Sequence, residues 1–185
     1  MKNIVIFASG TGSNAENIIH YFKNNTLKSV VAVFSNNPNA KVIGKAKKLG
    51  IQTFTFNKEE LYSYHVLSKL IECKPDLIVL AGFLLQFPKN IITAFPNKII
   101  NIHPALLPKY GGKGMYGRRV HQAILDNKED DTGITIHFVN EHYDEGRIIL
   151  QEKVSISDCT TAEEVATKVH ELEHRFLPKT IDQLT

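Results

Sequence analysis

The chain has 185 residues, with 22 basic and 19 acidic side chains and a formal net charge of +3 at neutral pH. This near balance does not indicate a nucleic-acid partner, and the lack of any apolar run of about eighteen residues argues against a membrane-spanning helix. Cys73 and Cys159 are the only cysteines, so we expect reduced thiols and no cysteine-built zinc site. We therefore expect a soluble, unexported, cytoplasmic protein whose residues 1–185 form one domain.

Strand and helix periods alternate along the first two thirds of the chain. Residues 3–8 are apolar and lead through glycines into the helical spacing of Ile18, Ile19 and Phe22. The same reasoning predicts further strands at 29–35, 51–56, 76–81 and 99–103, and further helices at 40–49, 59–73, 88–95 and 118–126. The pattern then changes to two strands joined by a short loop, 133–140 and 147–154, and a final helix at 161–175. This order predicts an α/β fold, a single doubly wound, mostly parallel sheet with an antiparallel C-terminal strand addition.

An amide and an imidazole lie on one face of the predicted strand 99–103. The two-residue period of a strand places Asn101 and His103 on the same side, with Ile102 opposite. Pro104 cannot donate to a ladder, so the strand should end there and leave His103 at its carboxyl end, where open α/β sheets bind ligands. An Asn that donates to a developing oxyanion, beside a His that moves a proton, suits acyl transfer. The alternative is a strand-end turn whose polar side chains are satisfied within the protein.

A glycine loop follows the first strand. Gly10-Thr11-Gly12-Ser13-Asn14-Ala15 fits the pattern G-x-G-x-x-A between a strand and a helix, where backbone N–H groups bind phosphate. A dinucleotide site also needs an acid at the end of the second strand, and Phe34-Ser35-Asn36-Asn37 stands there instead. We therefore expect a phosphate monoester rather than NAD, with Ser13 and Asn14 as side-chain donors. A tight turn without a ligand is the alternative.

The loop after the first of the two late strands is acidic, and it reads Asn140-Glu141-His142-Tyr143-Asp144-Glu145-Gly146. If this loop folds over the strand ends, Asp144 lies beside His103, stabilises its protonated ring and raises its pKa. An exposed hairpin loop is the alternative. His137 alternates with apolar neighbours, and we interpret it as a hydrogen-bonded histidine of the sheet rather than a site residue.

His170-Glu171-Leu172-Glu173-His174 has the H-E-x-x-H spacing of a zinc-protease helix. A catalytic zinc needs a third protein ligand, and only Asp182 follows as an acid. We therefore expect no metal here, which leaves Glu173 for another role.

Together these segments resemble the phosphoribosylglycinamide formyltransferases, the folate-dependent enzymes of purine synthesis. The resemblance runs from residue 1 to about residue 178. Its most specific motifs are Ser9-Gly10-Thr11-Gly12-Ser13-Asn14, Phe34-Ser35-Asn36, Leu80-Ala81-Gly82-Phe83, Asn101-Ile102-His103-Pro104-Ala105-Leu106-Leu107-Pro108, Gly133-Ile134-Thr135-Ile136-His137-Phe138-Val139 and Asp144-Glu145-Gly146. It implies a Rossmann-like formyltransferase fold. It also implies transfer of the formyl group of 10-formyltetrahydrofolate to the amine of N1-(5-phospho-D-ribosyl)glycinamide in purine (IMP) biosynthesis.

The resemblance also assigns residue roles. Asn101 and protonated His103 would stabilise the tetrahedral oxyanion, His103 would donate a proton to the leaving folate nitrogen, and Asp144 would raise the pKa of His103. The implied substrate phosphate and ribose contacts are Gly12, Ser13, Asn14 and Glu173. The implied folate contacts are Lys58, Leu84, Leu85, Gln86, Phe87, Asn101, Asn140 and Tyr143. No metal is implied. The expected partners are small molecules, neither nucleic acid nor a membrane, and we expect a monomer or homodimer.

Residues 109–119 are longer, richer in glycine and more basic than the family often has after its Leu-Leu-Pro motif, and we interpret them as a mobile flap. Two enzyme classes share the catalytic core. Methionyl-tRNA formyltransferases carry a further C-terminal domain and the deformylases an added regulatory domain, so length disfavours both. A nucleotide- or NAD-binding module without activity is a third alternative, and the missing acid after the second strand argues against NAD.

Overall fold

Seven strands form a single sheet in the computed structural model, which describes residues 1–185. In chain order they are β1 (Lys2–Phe7), β2 (Lys28–Ser35), β3 (Gln52–Thr55), β4 (Leu77–Leu80), β5 (Ile99–His103), β6 (Asp131–Phe138) and β7 (Ile148–Ser155). They lie in the order β3-β2-β1-β4-β5-β6-β7. Strands β1 to β5 are parallel, and β6 pairs antiparallel with both β5 and β7. The predicted sheet, with its antiparallel C-terminal addition, is confirmed.

Helices cover both faces of this sheet. They are α1 (Ser13–Phe22), α2 (Lys41–Lys48), α3 (Lys58–Tyr62), α4 (Tyr64–Cys73), α5 (Lys89–Ala94), α6 (Arg118–Asp126) and α7 (Ala162–Leu184). Ile4 and Ile6 of β1 pack with α1, α2, α6 and α7, whereas Val5 and Phe7 pack with α3, α4 and α5. A parallel strand that is covered on both sides must be apolar on both faces, which explains the continuous apolar run of β1. None of the helices combines the length and apolar character that a membrane crossing needs.

The predicted helix 59–73 is interrupted at Ser63. The backbone of Ser63 is extended (φ −89°, ψ −172°), and its hydroxyl accepts a hydrogen bond from the His65 N–H. Serine side chains compete in this way for backbone groups and favour helix starts over helix interiors. Ser63 therefore ends α3 and begins α4.

The last helix is longer than predicted, since α7 continues beyond residue 175 to Leu184. Pro178 lies inside it and lacks one N–H donor, which normally weakens a helix. Leu177 and Ile181 on the same stretch are fully buried, so packing holds these turns against the sheet.

The cleft of the molecule opens between β1 and β4, because the segments that follow these neighbouring strands leave on opposite faces. β1 leads into α1 on one face, and β4 leads into α5 on the other. The Ser9 N–H donates to the Gly82 carbonyl oxygen (3.0 Å) and holds the two strand ends together. Ligands of open α/β sheets bind where the connections diverge in this way. His103, which ends the next strand β5, stands at the same edge.

Candidate active site

A cavity of about 450 Å³ lies at the carboxyl ends of β1, β4, β5 and β6. Its walls come from the glycine loop, the loop after β4, the segment after His103, the loop after β6, and side chains of α6 and α7. The predicted site residues that line it are Gly12, Ser13, Asn14, Leu84, Leu85, Gln86, Phe87, Asn101, His103, Asn140, Tyr143, Asp144 and Glu173. The structure therefore brings all but one of the predicted residues together.

Lys58 is the exception, because it is exposed at the start of α3 and is not part of the cavity wall. The residue of α3 that reaches the site's loops is Tyr62, one turn further on. Its hydroxyl donates to the carbonyl oxygen of Gln86 (3.0 Å). Lys58 therefore lies outside the cavity wall, and its contact with the folate tail stays a prediction.

His103 is buried at the end of β5, and both of its ring nitrogens face protein groups. Nε2 lies 2.8 Å from the Tyr110 carbonyl oxygen, so this nitrogen carries the proton. Nδ1 lies 3.5 Å from Oδ2 of Asp144. Burial lowers the pKa of His103, and the Asp144 carboxylate and the Tyr110 carbonyl raise it without outweighing burial. The resting ring is therefore neutral at pH 7, with a lone pair on Nδ1. Asp144 raises the pKa of His103 as expected, but burial lowers it by more.

The amide of Asn101 is oriented by two acceptors. Its Nδ2 lies 3.1 Å from Nε2 of His137 and 3.4 Å from Oδ1 of Asp144. Nδ1 of His137 lies 2.9 Å from the Phe138 carbonyl oxygen and carries the ring proton, which leaves Nε2 as an acceptor. The contact with Asp144 is long and weak. The Asn101 N–H that makes this contact is therefore the one able to turn towards a ligand. His137 is a hydrogen-bonded histidine of the sheet, as interpreted, but it also lines the cavity, which that interpretation did not include.

Asp144 reaches His103 because its loop folds back over the strand ends. Its backbone is left-handed (φ 56°), an uncommon conformation for a residue other than glycine, and its Oδ2 accepts from the Gly112 N–H (2.9 Å). Burial raises the pKa of Asp144, but its contacts with His137, His103 and the Gly112 N–H lower it by more. The site therefore holds an ionised carboxylate beside a neutral imidazole at pH 7.

The glycine loop turns sharply at Gly12, immediately before α1. Gly12 is left-handed (φ 70°), and a Cβ added there would lie 2.3 Å from Cγ2 and 2.9 Å from Cα of Val42, so only glycine fits. This turn places the N-terminus of α1, with its free N–H groups, at the cavity. Asn14 is buried there, and its Nδ2 donates to Oε2 of Glu173 (2.8 Å), whereas its Oδ1 has no partner. This end of the cavity suits an anion with neighbouring hydroxyl groups.

Two loops form the opposite end of the cavity and are joined to each other. Nε2 of Gln86 donates to the Glu141 carbonyl oxygen (2.8 Å), and Nζ of Lys89 pairs with the Glu141 carboxylate (3.0 Å). The wall at this end carries the apolar side chains of Leu85, Phe87 and Val139. An apolar wall with backbone polar groups at its edge suits a flat heterocyclic ring.

The segment that follows His103 packs against the site. Its backbone supplies the Tyr110 carbonyl to His103 and the Gly112 N–H to Asp144. The Tyr110 hydroxyl (2.9 Å) and the Lys109 ammonium (2.8 Å) both donate to Oε1 of Glu129. In this structure the segment is therefore a wall of the cavity, and its mobility stays a prediction.

Comparison with known proteins identifies the family. A family model described as formyl transferase matches residues 2–181. The chain belongs to the formyl transferase family. This membership confirms the resemblance that the sequence motifs indicated.

Individual relatives carry a more specific name. The phosphoribosylglycinamide formyltransferase of Escherichia coli K12 is 35% identical over 97% of the chain and 85% of its own length. The chloroplastic phosphoribosylglycinamide formyltransferase of Arabidopsis thaliana is 37% identical over 95% of the chain, which spans only 62% of the length of that protein. The crystal structure of a phosphoribosylglycinamide formyltransferase from Bacillus halodurans matches with a TM-score of 0.89 and 35% identity, covering 99% of this chain and 95% of that one.

The H-E-x-x-H histidines make contacts other than metal ligation. Nδ1 of His170 lies 3.0 Å from Oε2 of Glu173, the oxygen that also accepts from Asn14, and this hydrogen bond raises the pKa of His170. The ring centroids of His170 and His174 lie 4.2 Å apart. No group of three His, Cys, Asp or Glu side chains is arranged to hold a metal ion.

Besides His137, Tyr110, Gly112 and His121 were not predicted to lie at the site. Tyr110 and Gly112 act through their backbones, which a side-chain pattern does not reveal. His121 lines the cavity from α6, and a lone histidine on an amphipathic helix gives no signal of that position. The glycine-rich character of residues 111–117 is the one signal in the sequence that is consistent with a backbone role, and it was interpreted as a mobile flap.

Proposed function

We propose that this protein transfers the formyl group of 10-formyltetrahydrofolate to the amine of N1-(5-phospho-D-ribosyl)glycinamide, in purine biosynthesis. The products are formylglycinamide ribonucleotide and tetrahydrofolate. The observation that carries the proposal is the meeting of Asn101, His103 and Asp144 in one cavity, between an anion-binding end and an apolar end. The names of the relatives support the choice of substrates.

The acceptor binds at the glycine loop in this proposal. Its phosphate lies at the N-terminus of α1, on the N–H groups of Gly12, Ser13 and Asn14, where the helix dipole favours a negative charge. Glu173 uses Oε2 for its two protein contacts, so its other carboxylate oxygen is available to a ribose hydroxyl. The amine of the acceptor then points along the cavity towards His103.

The folate binds at the opposite end. Residues 84–87 and 140–144 hold the pterin ring between an apolar wall and backbone polar groups, and Tyr143 lines the same space. The hydrogen bond of Gln86 to Glu141 keeps the two loops at a fixed spacing. The formyl group, attached next to the pterin, is thereby brought to Asn101.

The chemical step needs a proton to move from the attacking amine to the leaving nitrogen. The amine forms a bond to the formyl carbon, and the bond from that carbon to the folate nitrogen breaks. Neutral His103 takes the amine proton on Nδ1 and donates it to the folate nitrogen, so no net proton is consumed. Asp144 stabilises the ring while it is charged, and an N–H of Asn101 stabilises the negative charge that develops on the formyl oxygen.

This proton path modifies the expectation from resemblance. A standing imidazolium is disfavoured because His103 is buried, whereas a neutral ring fixed by the Tyr110 carbonyl is ready to accept a proton. In the same proposal residues 1–185 act as one catalytic domain in the cytoplasm, as a monomer or homodimer, without a metal. The route uses only protein side chains and the two substrates.

Purified protein incubated with 10-formyltetrahydrofolate, with and without the acceptor, tests the proposal. Folate absorbance reports loss of the formyl group, and mass spectrometry identifies the formylated product. Turnover should require the acceptor and be lost in His103→Ala, but not in His65→Ala, which removes an exposed histidine of α4 outside the cavity. Formate release without the acceptor would show a deformylase instead, and no turnover with either mixture would contradict the assignment.

A further inference from the structure

His121 is a buried polar residue of α6 that no proposed role explains. The residue is 6% exposed and lines the main cavity. It also lines an adjoining cavity of about 280 Å³ between α6 and α7, which shares His121, His170 and Glu173 with the main one. The imidazole therefore lies where the two cavities meet, at the acceptor end of the site.

The ring of His121 lacks the protein partners that the other buried histidines of the site have. Nδ1 is buried without a hydrogen-bond partner, whereas the ring nitrogens of His103 and His137 face carbonyl, amide or carboxylate groups. Burial lowers the pKa of His121, so the ring is neutral at pH 7. A neutral imidazole carries one ring proton, which is favoured on the nitrogen that can donate it to a hydrogen-bond acceptor. Since Nδ1 has no acceptor, Nε2–H is the donor that is left for a ligand.

The position of His121 indicates which part of a ligand it meets. The main cavity is lined by His103, His121 and Glu173, whereas the adjoining cavity is lined by His121 and Glu173 but not by His103. Glu173 belongs to the ribose end of the site and His103 to the reacting end. A ligand that extends from one to the other therefore passes His121.

We propose that His121 is a binding residue for the acceptor, donating from Nε2 to a neutral oxygen in the stretch between its ribose and its amine. This inference rests on the proposed function of the site. A neutral donor pairs well with a glycinamide carbonyl or a ribose hydroxyl, neither of which carries a charge. The hydrogen bond fixes the angle at which the acceptor crosses the cavity, and so directs its amine to His103.

Two matched substitutions separate binding from folding. His121→Phe keeps an aromatic ring and removes both ring nitrogens, and His121→Gln keeps an N–H donor. Calorimetric titration gives the Kd of the acceptor without turnover, steady-state kinetics give the KM of each substrate, and thermal denaturation gives the stability of the free protein. His121→Leu, which is smaller, serves as a second donor-free variant if the phenylalanine does not fit.

The donor-free variant should be at least as stable as the wild type but should bind the acceptor more weakly. In His121→Phe the free protein should melt at the same or a higher temperature, because an unpartnered buried nitrogen has been removed. The Kd of the acceptor should rise about tenfold and the KM of the folate should stay within about twofold. His121→Gln should retain acceptor affinity within about threefold of the wild type.

Other outcomes would overturn the inference. Unchanged acceptor affinity in a folded donor-free variant would show that His121 does not touch the acceptor. Equal weakening of both substrates, or of His121→Gln and His121→Phe, would show a general packing role. If the wild-type protein does not bind the acceptor, the proposed function itself is overturned. If the wild type binds and the donor-free variants bind equally well, only the role of His121 is overturned.

Discussion

The contact between Asp144 and His103 leads to a measurable prediction for Asp144→Asn. The carboxylate oxygen lies 3.5 Å from Nδ1 of His103, and the two side chains are only 11% and 4% exposed, so solvent screens little of their interaction. At an effective dielectric constant of about 20, two unit charges at that distance interact by about 5 kcal/mol, and opposite charges this close raise a histidine pKa by about 1 to 3. Removing the charge leaves mainly the Tyr110 carbonyl to oppose burial, so the pKa of His103 should fall by about that amount.

The same change should slow the reaction. A pKa lower by 1 to 3 makes the charged ring less favourable by about 1.4 to 4 kcal/mol, which corresponds to a rate loss of about 10- to 1,000-fold if it appears fully in the barrier. Asparagine can still accept from the Gly112 N–H, so the loop should hold its place. Nuclear magnetic resonance of labelled histidine, with the His103 signal identified by its loss in His103→Ala, gives the pKa directly.

The control for this experiment is Glu145→Gln, which removes an exposed charge from the same loop. It should leave both the pKa of His103 and the rate unchanged. A pKa of His103 in Asp144→Asn that equals or exceeds the wild-type value would refute the electrostatic argument. An equal fall in the Glu145→Gln control would show that general loop charge, rather than the 3.5 Å contact, sets the pKa.

Three further substitutions test how the site is held. Gly12→Ala should lower the free energy of unfolding by roughly 2 to 5 kcal/mol and raise the acceptor KM, because its Cβ would meet Val42 in a left-handed turn; an unchanged denaturation midpoint would contradict this. Glu129→Ala should speed amide exchange over residues 110–117, since it removes the carboxylate that holds Tyr110, whereas equal exchange would show that Glu129 is not needed. Thr161→Ala should lower the free energy of unfolding by about 1 kcal/mol in denaturant titrations without changing either KM, because it removes the capping box of α7, and Thr161 is not part of the cavity wall.

The sequence predicts those elements whose limits are chemical. The bounds of β5 and α6 agree with the prediction because Pro104 ends the strand and the apolar spacing of residues 118–126 is clear. It fails where packing or a cap overrides the period. Ser63 divides a helix whose apolar stripe is continuous, and α7 passes through Pro178 because its last turns are buried.

The candidate site follows the same division. Asn101 and His103 were predictable because strand alternation fixes their common face, and the glycine loop because few residues other than glycine adopt its turn. The pKa of His103 was not predictable, because it depends on the opposing effects of Asp144 and of burial. The sequence shows the attractive charge of Asp144 but not the burial that outweighs it. Distances and burial, rather than residue types, decide which effect is larger.

The two ends of the cavity differ in how many of their polar atoms have hydrogen-bond partners in the free protein. The buried side-chain atoms without a hydrogen-bond partner are Asn14 Oδ1, His121 Nδ1 and His174 Nε2, on the helices that surround the acceptor end. At the reacting end, His103, Asn101 and Asp144 all have partners. Unpartnered polar groups are unfavourable, and the proposed acceptor adds hydrogen bonds at the N-terminus of α1 and at Nε2 of His121, so its binding should tighten the acceptor end more than the reacting end. Amide exchange with and without the acceptor should therefore slow in α1 and α6 and change little in β5, and a slowing confined to β5 would reverse this conclusion.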